Sequence, residues 1–214
     1  WFEYSAAEHM AVRRKVGMFD MSSFGKIKLI GRHAEAVLQR IAANDVAVPV
    51  GKIVYTQFLN SEGHIEADVT ITRLGADEFL IVTPAATIRR DLHWINGHIP
   101  DSSHAIAVDI TVSESVFVVM GPDARSFLEP LIPQSLENKD FPFGTMQPIE
   151  IGHAIARAHR VSYVGELGWE LHHPIEYQNH IFDKLMEHGK DLGLKPFGIR
   201  AMNSLRVEKS YKLV

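Results

Sequence analysis

Residues 59–74, LNSEGHIEADVTITRL, place two carboxylates, Glu66 and Asp68, at i and i+2 in a run with the β-branched alternation of a strand. Two acids on one strand face can move protons, stabilise a developing cation or accept N–H donors from a ligand. A hairpin closed symmetrically on Ser61-Glu62 sets Tyr55 opposite Asp68 and Gln57 opposite Glu66, all on one face. Val54, Thr56 and Phe58 then meet Ile65, Ala67, Val69 and Ile71 on a core face. A second hairpin in ARAHRVSYVGELGWELHHP, turning at Gly165-Glu166-Leu167-Gly168, sets Tyr163 opposite Glu170 when closed the same way. An aromatic ring beside an acid suits a flat heterocycle, because the ring stacks while the carboxylate takes N–H donors. The plain alternative is the polar, solvent-facing side of two hairpins. Recurrence of the pair favours two walls of one ligand cleft.

Other residues point away from chemistry. The twelve histidines show no metal-ligand spacing: His172 and His173 fall on opposite strand faces, and no metal is expected. Neither a dinucleotide nor a phosphate-loop glycine motif occurs, nor a nucleophile elbow. The absence of cysteine rules out disulfides and thiolate nucleophiles from these residues. A net charge of −4 gives no basic field for nucleic acid, and Arg13-Arg14-Lys15 and Arg89-Arg90 read as solvated helix faces. No apolar run is long enough to span a membrane.

The elements that must position the acids follow from periodicity. Ser5-Ala6-Ala7-Glu8 has capping-box spacing and Gly17 suits a C-cap, which predicts a helix over 6–16. A strand over 24–30 leads through Gly31 to a helix with Ala34, Val37, Leu38 and Ile41 on one face. The hairpin 53–59/65–72 is followed by a strand at 79–83, and Thr83-Pro84 then opens a helix. The second half echoes the first: a strand over 115–120, then Gly121, Ala124 and Leu128 at the spacings of Gly31, Ala34 and Leu38. Helices follow at about 175–188 and 198–210. The expected fold is α+β, two related lobes of antiparallel sheet with packed helices. One lobe is expected to be inserted at about 48–110, the other to comprise 1–47 and 111–214. Both ends look cut from a longer polypeptide.

VGMFDMSSFGKIKLIG, NDVAVPVGKIVYTQFLNSEGHIEADVTITRL, RVSYVGELGWELHHP and AMNSLRVEKSY together resemble the folate-binding module of the aminomethyltransferase (glycine-cleavage T-protein) superfamily. The branch most similar is the C-terminal portion of dimethylglycine and sarcosine dehydrogenases. The resemblance implies tetrahydrofolate as cofactor, with FAD only on a separate oxidase domain absent from these residues, as is a C-terminal barrel. It implies that Asp68 is the catalytic carboxylate, that Glu170 holds the pteridine N–H edge, and that Tyr55 and Tyr163 line the pocket. The implied reaction passes a one-carbon unit from an N-methyl amine donor to tetrahydrofolate, forming 5,10-methylenetetrahydrofolate. The alternative is a folate- or pterin-binding regulatory module without catalysis; retention of the reactive acid favours the enzyme. The implied compartment is the bacterial cytoplasm or the mitochondrial matrix. In one departure, Met202 stands where many T-proteins carry an arginine that serves the folate tail, with Arg200 and Arg206 nearby.

Overall fold

The computed structural model describes residues 1–212. In chain order its elements are α1 (Phe2–Arg14), β1 (Gly17–Asp20), β2 (Gly25–Ile30), α2 (Ala34–Ile41), β3 (Ile53–Leu59), β4 (Ile65–Gly75), β5 (Glu78–Thr83), α3 (Ile88–Gly97) and β6 (Ile106–Asp109). There follow β7 (Glu114–Met120), α4 (Ala124–Leu128), β8 (Met146–Ile151), β9 (Ala154–His159), β10 (Gly168–Pro174), α5 (Gln178–Gly189), β11 (Lys195–Pro196) and α6 (Ile199–Glu208). The fold is α+β, and the chain forms two compact units. Among the described residues, the first contains 1–22, 115–143 and 147–212; the second contains 23–114 and 144–146. The second unit therefore begins at Ser23 rather than near residue 48. The reason is pairing: β2 hydrogen-bonds both β5 and β6, so it cannot leave their sheet.

Each unit is built on one sheet. That of the second runs β3-β4-β5-β2-β6, and that of the first runs β8-β9-β10-β7-β1-β11. Five strands of each order correspond, with β2 matching β7 and β5 matching β10, and β11 is an addition at the edge of the six-stranded sheet. The turn after the matched strand is also the same. Gly31 N–H donates to the Asp77 carbonyl at 2.8 Å and Gly121 N–H to that of Leu167 at 2.9 Å. Ala34 and Ala124 then donate back to the carbonyls of Gly31 and Gly121 at 2.8 and 3.0 Å. Both glycines have positive φ, +128° and +142°, and a Cβ on either would run into a backbone carbonyl oxygen, of His104 or of Lys15. Gly121→Ala is expected to cost about 2–4 kcal/mol, combining a disfavoured φ with a backbone clash. Urea unfolding of the variant measures this, and Gly31→Ala should behave alike.

Each sheet packs a helix-covered hydrophobic core on one face, and its central strands are buried on the other face as well. In the second unit Ile27, Leu29, Ala67, Val69, Ile71, Phe79 and Ile81 pack with α2 residues Val37, Leu38 and Ile41. In the first, Phe117, Val119, Ala156, Ala158, Trp169 and Leu171 pack with Ile181 and Leu185 of α5. Alternation then sends Tyr55, Gln57, Asp68 and Thr70 to the opposite face of one sheet. It sends Arg157, His159, Glu170 and His172 to the opposite face of the other.

Three local expectations are corrected. α1 begins at Phe2 and encloses Ser5, because a serine with cap spacing is also tolerated inside a helix. Gly17 opens β1, pressed so close to Val12 and Phe197 that no side chain fits. Arg13 is not on a solvated face. Its guanidinium donates to Glu208 and Glu166, both at 2.9 Å, and to the carbonyls of Val164 and Leu205.

Candidate functional site

On the second unit the hairpin closes differently from the symmetric expectation. Gln57 pairs with Asp68, Tyr55 with Thr70 and Phe58 with Ala67, while Leu59 pairs with Ile65. Glu66 is thus the extra residue of a β-bulge. With Leu59 pairing Ile65 instead of His64, turn and bulge together move the register by two, so Tyr55, Gln57 and Asp68 keep their face while Ile65, expected in the core, is exposed. The turn chemistry explains the bulge. Asn60 Oδ1 accepts N–H bonds from Glu62 and His64, both at 3.0 Å, and Gly63 takes φ +80°. Asn60 Nδ2 donates to Glu66 Oε1 at 2.8 Å, so Glu66 is tied back to the turn. Asp68 is half-buried, and Gln57 Nε2 donates to its Oδ1 at 2.9 Å. Tyr55 lies on the same face and is 57% exposed. The cross-strand partner of Asp68 is therefore an amide, not a tyrosine.

On the first unit the expected pairing of Tyr163 with Glu170 fails too. Glu170 pairs with His159, Leu171 with Ala158 and His172 with Arg157. Strand β9 ends at His159 because Arg160 turns its guanidinium onto the Phe141 carbonyl and the Asn138 side chain. Residues 160–167 form a loop in which Ser162 Oγ accepts the N–H groups of Gly165 and Glu166 at 2.9 and 3.1 Å. Tyr163 sits in that loop, its ring parallel to that of Tyr211 with centroids 6.3 Å apart.

Glu170 lies in the most unusual environment for an acid in this unit. Its side chain is 11% exposed, and His172 Nε2 lies 3.2 Å from Oε2. Burial raises its pKa to about 7. His159, directly opposite, stacks its ring on that of His172 with centroids 4.1 Å apart and planes 19° from parallel. Burial, and then the positive potential of His172 and Arg157, pushes the His159 pKa well below the usual histidine range, so it stays neutral. Sequence reasoning missed this trio, since it placed Tyr163 where His159 stands. The signal that could have found it was Ser162 ahead of Gly165, a side chain able to close a longer loop.

Donor atoms of His159, Glu170 and His172 lie within 4.8 Å of one another, close enough to invite comparison with a metal centre. The stacked rings argue against one. A metal lies close to the plane of each imidazole that binds it, and rings stacked 19° from parallel are poorly placed to converge on one ion. The trio is a hydrogen-bonded acid backed by two histidines. Arg200 and Arg206 are committed elsewhere: Arg200 covers the Trp1 ring at 4.3 Å, and Arg206 donates to Asn203 and to the Tyr211 carbonyl.

Two strand-matched units, one with a half-buried aspartate and the other with a buried glutamate, make up an α+β module. The profile of the GCVT N-terminal domain family matches residues 1–214, and the chain belongs to that family. It is 39% identical over 212 residues to the 4-methylaminobutanoate oxidase (formaldehyde-forming) of Paenarthrobacter nicotinovorans, covering 99% of this chain and 26% of that one. It is 32% identical to human mitochondrial dimethylglycine dehydrogenase, over 99% of this chain and 24% of that protein. At 32% identity it also matches a mouse mitochondrial pyruvate dehydrogenase phosphatase regulatory subunit, again over 99% and 24%. The chain thus spans about a quarter of the length of these relatives. In fold it matches glycine cleavage system aminomethyltransferase T from Bartonella henselae with a TM-score of 0.83 at 24% identity, covering 98% of this chain and 55% of that one. Among the described residues no helix is long and apolar enough to cross a membrane.

Proposed function

We propose that this chain is the tetrahydrofolate-dependent one-carbon transfer module of an N-methyl amine oxidising protein. The observation that carries the reading is Glu170. A largely buried carboxylate whose Oε2 is tied to His172 can turn its other oxygen to an N–H donor of a ligand. The N–H edge of a pteridine supplies such donors, so the residue fits the group. When bound, tetrahydrofolate would supply the nucleophilic nitrogen that takes up the one-carbon unit.

The chain's own part is binding, orientation and charge. Glu170 fixes the heterocycle through its N–H edge. Asp68, steadied by Gln57, offers negative charge to the iminium carbon donor and accepts a proton as the new bond forms. Tyr55 and Tyr163 contribute ring faces. The amine, as in the relatives named for methylaminobutanoate and dimethylglycine, would be oxidised at a flavin carried by a domain outside these residues, in the same polypeptide or a partner subunit.

The regulatory-subunit relative favours a second reading, a module that binds folate or a related pterin without transferring carbon. Calorimetric titration with tetrahydrofolate under anaerobic conditions, with Glu170→Ala as control, tests the first premise. Micromolar binding lost in the variant supports it. Absence of binding by the wild type, repeated with the C-terminal region present, ends the folate reading. Binding without 5,10-methylenetetrahydrofolate formation from an iminium donor selects the regulator.

A further inference from the structure

We infer that His172 is the positioning residue for Glu170, donating Nε2–H to one carboxylate oxygen so that the other is presented to the ligand. The inference rests on the folate reading above and gives a role to a residue to which the resemblance assigned none. His172 is wholly buried two residues beyond Glu170 on the same strand face, and its Nε2 lies 3.2 Å from Oε2. An ionised carboxylate can only accept, so Nε2 carries the proton of this bond. The ring is held in place by the stack with His159, whose centroid is 4.1 Å away on the neighbouring strand.

The ionisable groups around Glu170 are few. His172 is on its own strand, and β9 brings His159 and Arg157. On the other side β7 presents Val116, Val118 and Met120 by alternation, with Glu114 at the strand's start. Burial raises the Glu170 pKa to about 7, and an N–H donated to a carboxylate favours its ionised form. Removing the donor must therefore shift the carboxylate toward its acid, which has lost the charge that makes it a strong acceptor.

The test uses this chain with His172→Phe, which removes the donor, and His172→Gln, which keeps an N–H. Two readouts are needed, the carbon-13 NMR titration of the Glu170 carboxyl without ligand and the calorimetric Kd for tetrahydrofolate between pH 6 and 8.5. In His172→Phe the Glu170 midpoint is expected to rise by about one pH unit, and affinity at pH 7.5 to fall about five- to tenfold. His172→Gln is expected to recover most of both, which a merely space-filling role would not produce. Should Phe fail to fold, the Gln variant alone decides through its midpoint, expected within half a unit of wild type. An unchanged or lowered midpoint in His172→Phe overturns the inference. So does wild-type affinity at every pH in that variant while Glu170→Ala has lost binding. A wild type that binds no tetrahydrofolate removes the folate reading itself, a different result from either.

Discussion

Asp68→Asn is expected to bind tetrahydrofolate within about tenfold of wild type while transferring one-carbon units about 10²- to 10⁴-fold more slowly. The two halves of that expectation come from different atoms. Asparagine keeps the shape of aspartate, and its Oδ1 can still accept the Gln57 amide now 2.9 Å away, so the half-buried strand face need not rearrange. What disappears is negative charge beside the folate nitrogen that would become cationic as it attacks the iminium carbon, together with the capacity to take its proton. Those interactions strengthen on the way to the transition state and so act on kcat rather than on ground-state affinity. The measurement pairs a calorimetric Kd with the rate of 5,10-methylenetetrahydrofolate formation. If Asp68→Asn and Glu170→Ala lose binding equally, the two acids do not divide the work in this way.

Glu170→Ala is expected to weaken tetrahydrofolate about 10- to 100-fold, the range set by about 1.5–3 kcal/mol for a hydrogen bond to a charged group. The same residue makes binding depend on pH. With its pKa raised to about 7, Glu170 is mostly carboxylate at pH 8 and mostly acid at pH 6. Affinity should therefore fall about tenfold between those values, and the variant should lose that slope. Stability moves the other way. The folded chain holds this proton more tightly than the unfolded chain, so the contribution is fully present below the ordinary carboxylate pKa. It is lost as pH rises to about 7, by roughly 3 kcal/mol in all. Urea titrations at pH 5 and 7.5, wild type against Glu170→Gln, report it: the variant should remove this part of the pH dependence. A wild-type chain whose affinity is flat from pH 6 to 8 would contradict the placement of Glu170 at the ligand.

What the sequence made legible and what it hid divide along physical lines. Face assignment survived: the period-two alternation around Asp68 put Ala67 and Val69 in the core and Asp68 away from it, as the sheet shows. Register did not, because it is decided by turns rather than by alternation. Asn60 bonding two N–H groups created the bulge at Glu66, and Arg160 reaching Phe141 and Asn138 ended β9 four residues before Tyr163. Both are side-chain contacts to backbone or to distant residues, invisible to a pairing drawn by symmetry. The glycine echo between the halves was legible and held in detail, since a positive φ against a carbonyl oxygen admits no other residue. The His159–Glu170–His172 trio was not, since it depends on the corrected register.

The matched strand orders carry a consequence for ligand recognition. Pro84 and Pro174 leave β5 and β10 with the same backbone angles, φ −59° and −54° with ψ 144° and 142°. Counting back from each proline, Leu80 stands on β5 where Glu170 stands on β10, and Val82 where His172 does. The ladders agree, for Thr72 pairs with Leu80 as His159 pairs with Glu170. One backbone plan, used twice, thus carries greasy side chains in one copy and a hydrogen-bonded acid in the other. The symmetry of the plan is broken at these positions: of the matched pairs, only the β10 copy carries an acid able to accept N–H donors, so any recognition that needs one is confined to that copy.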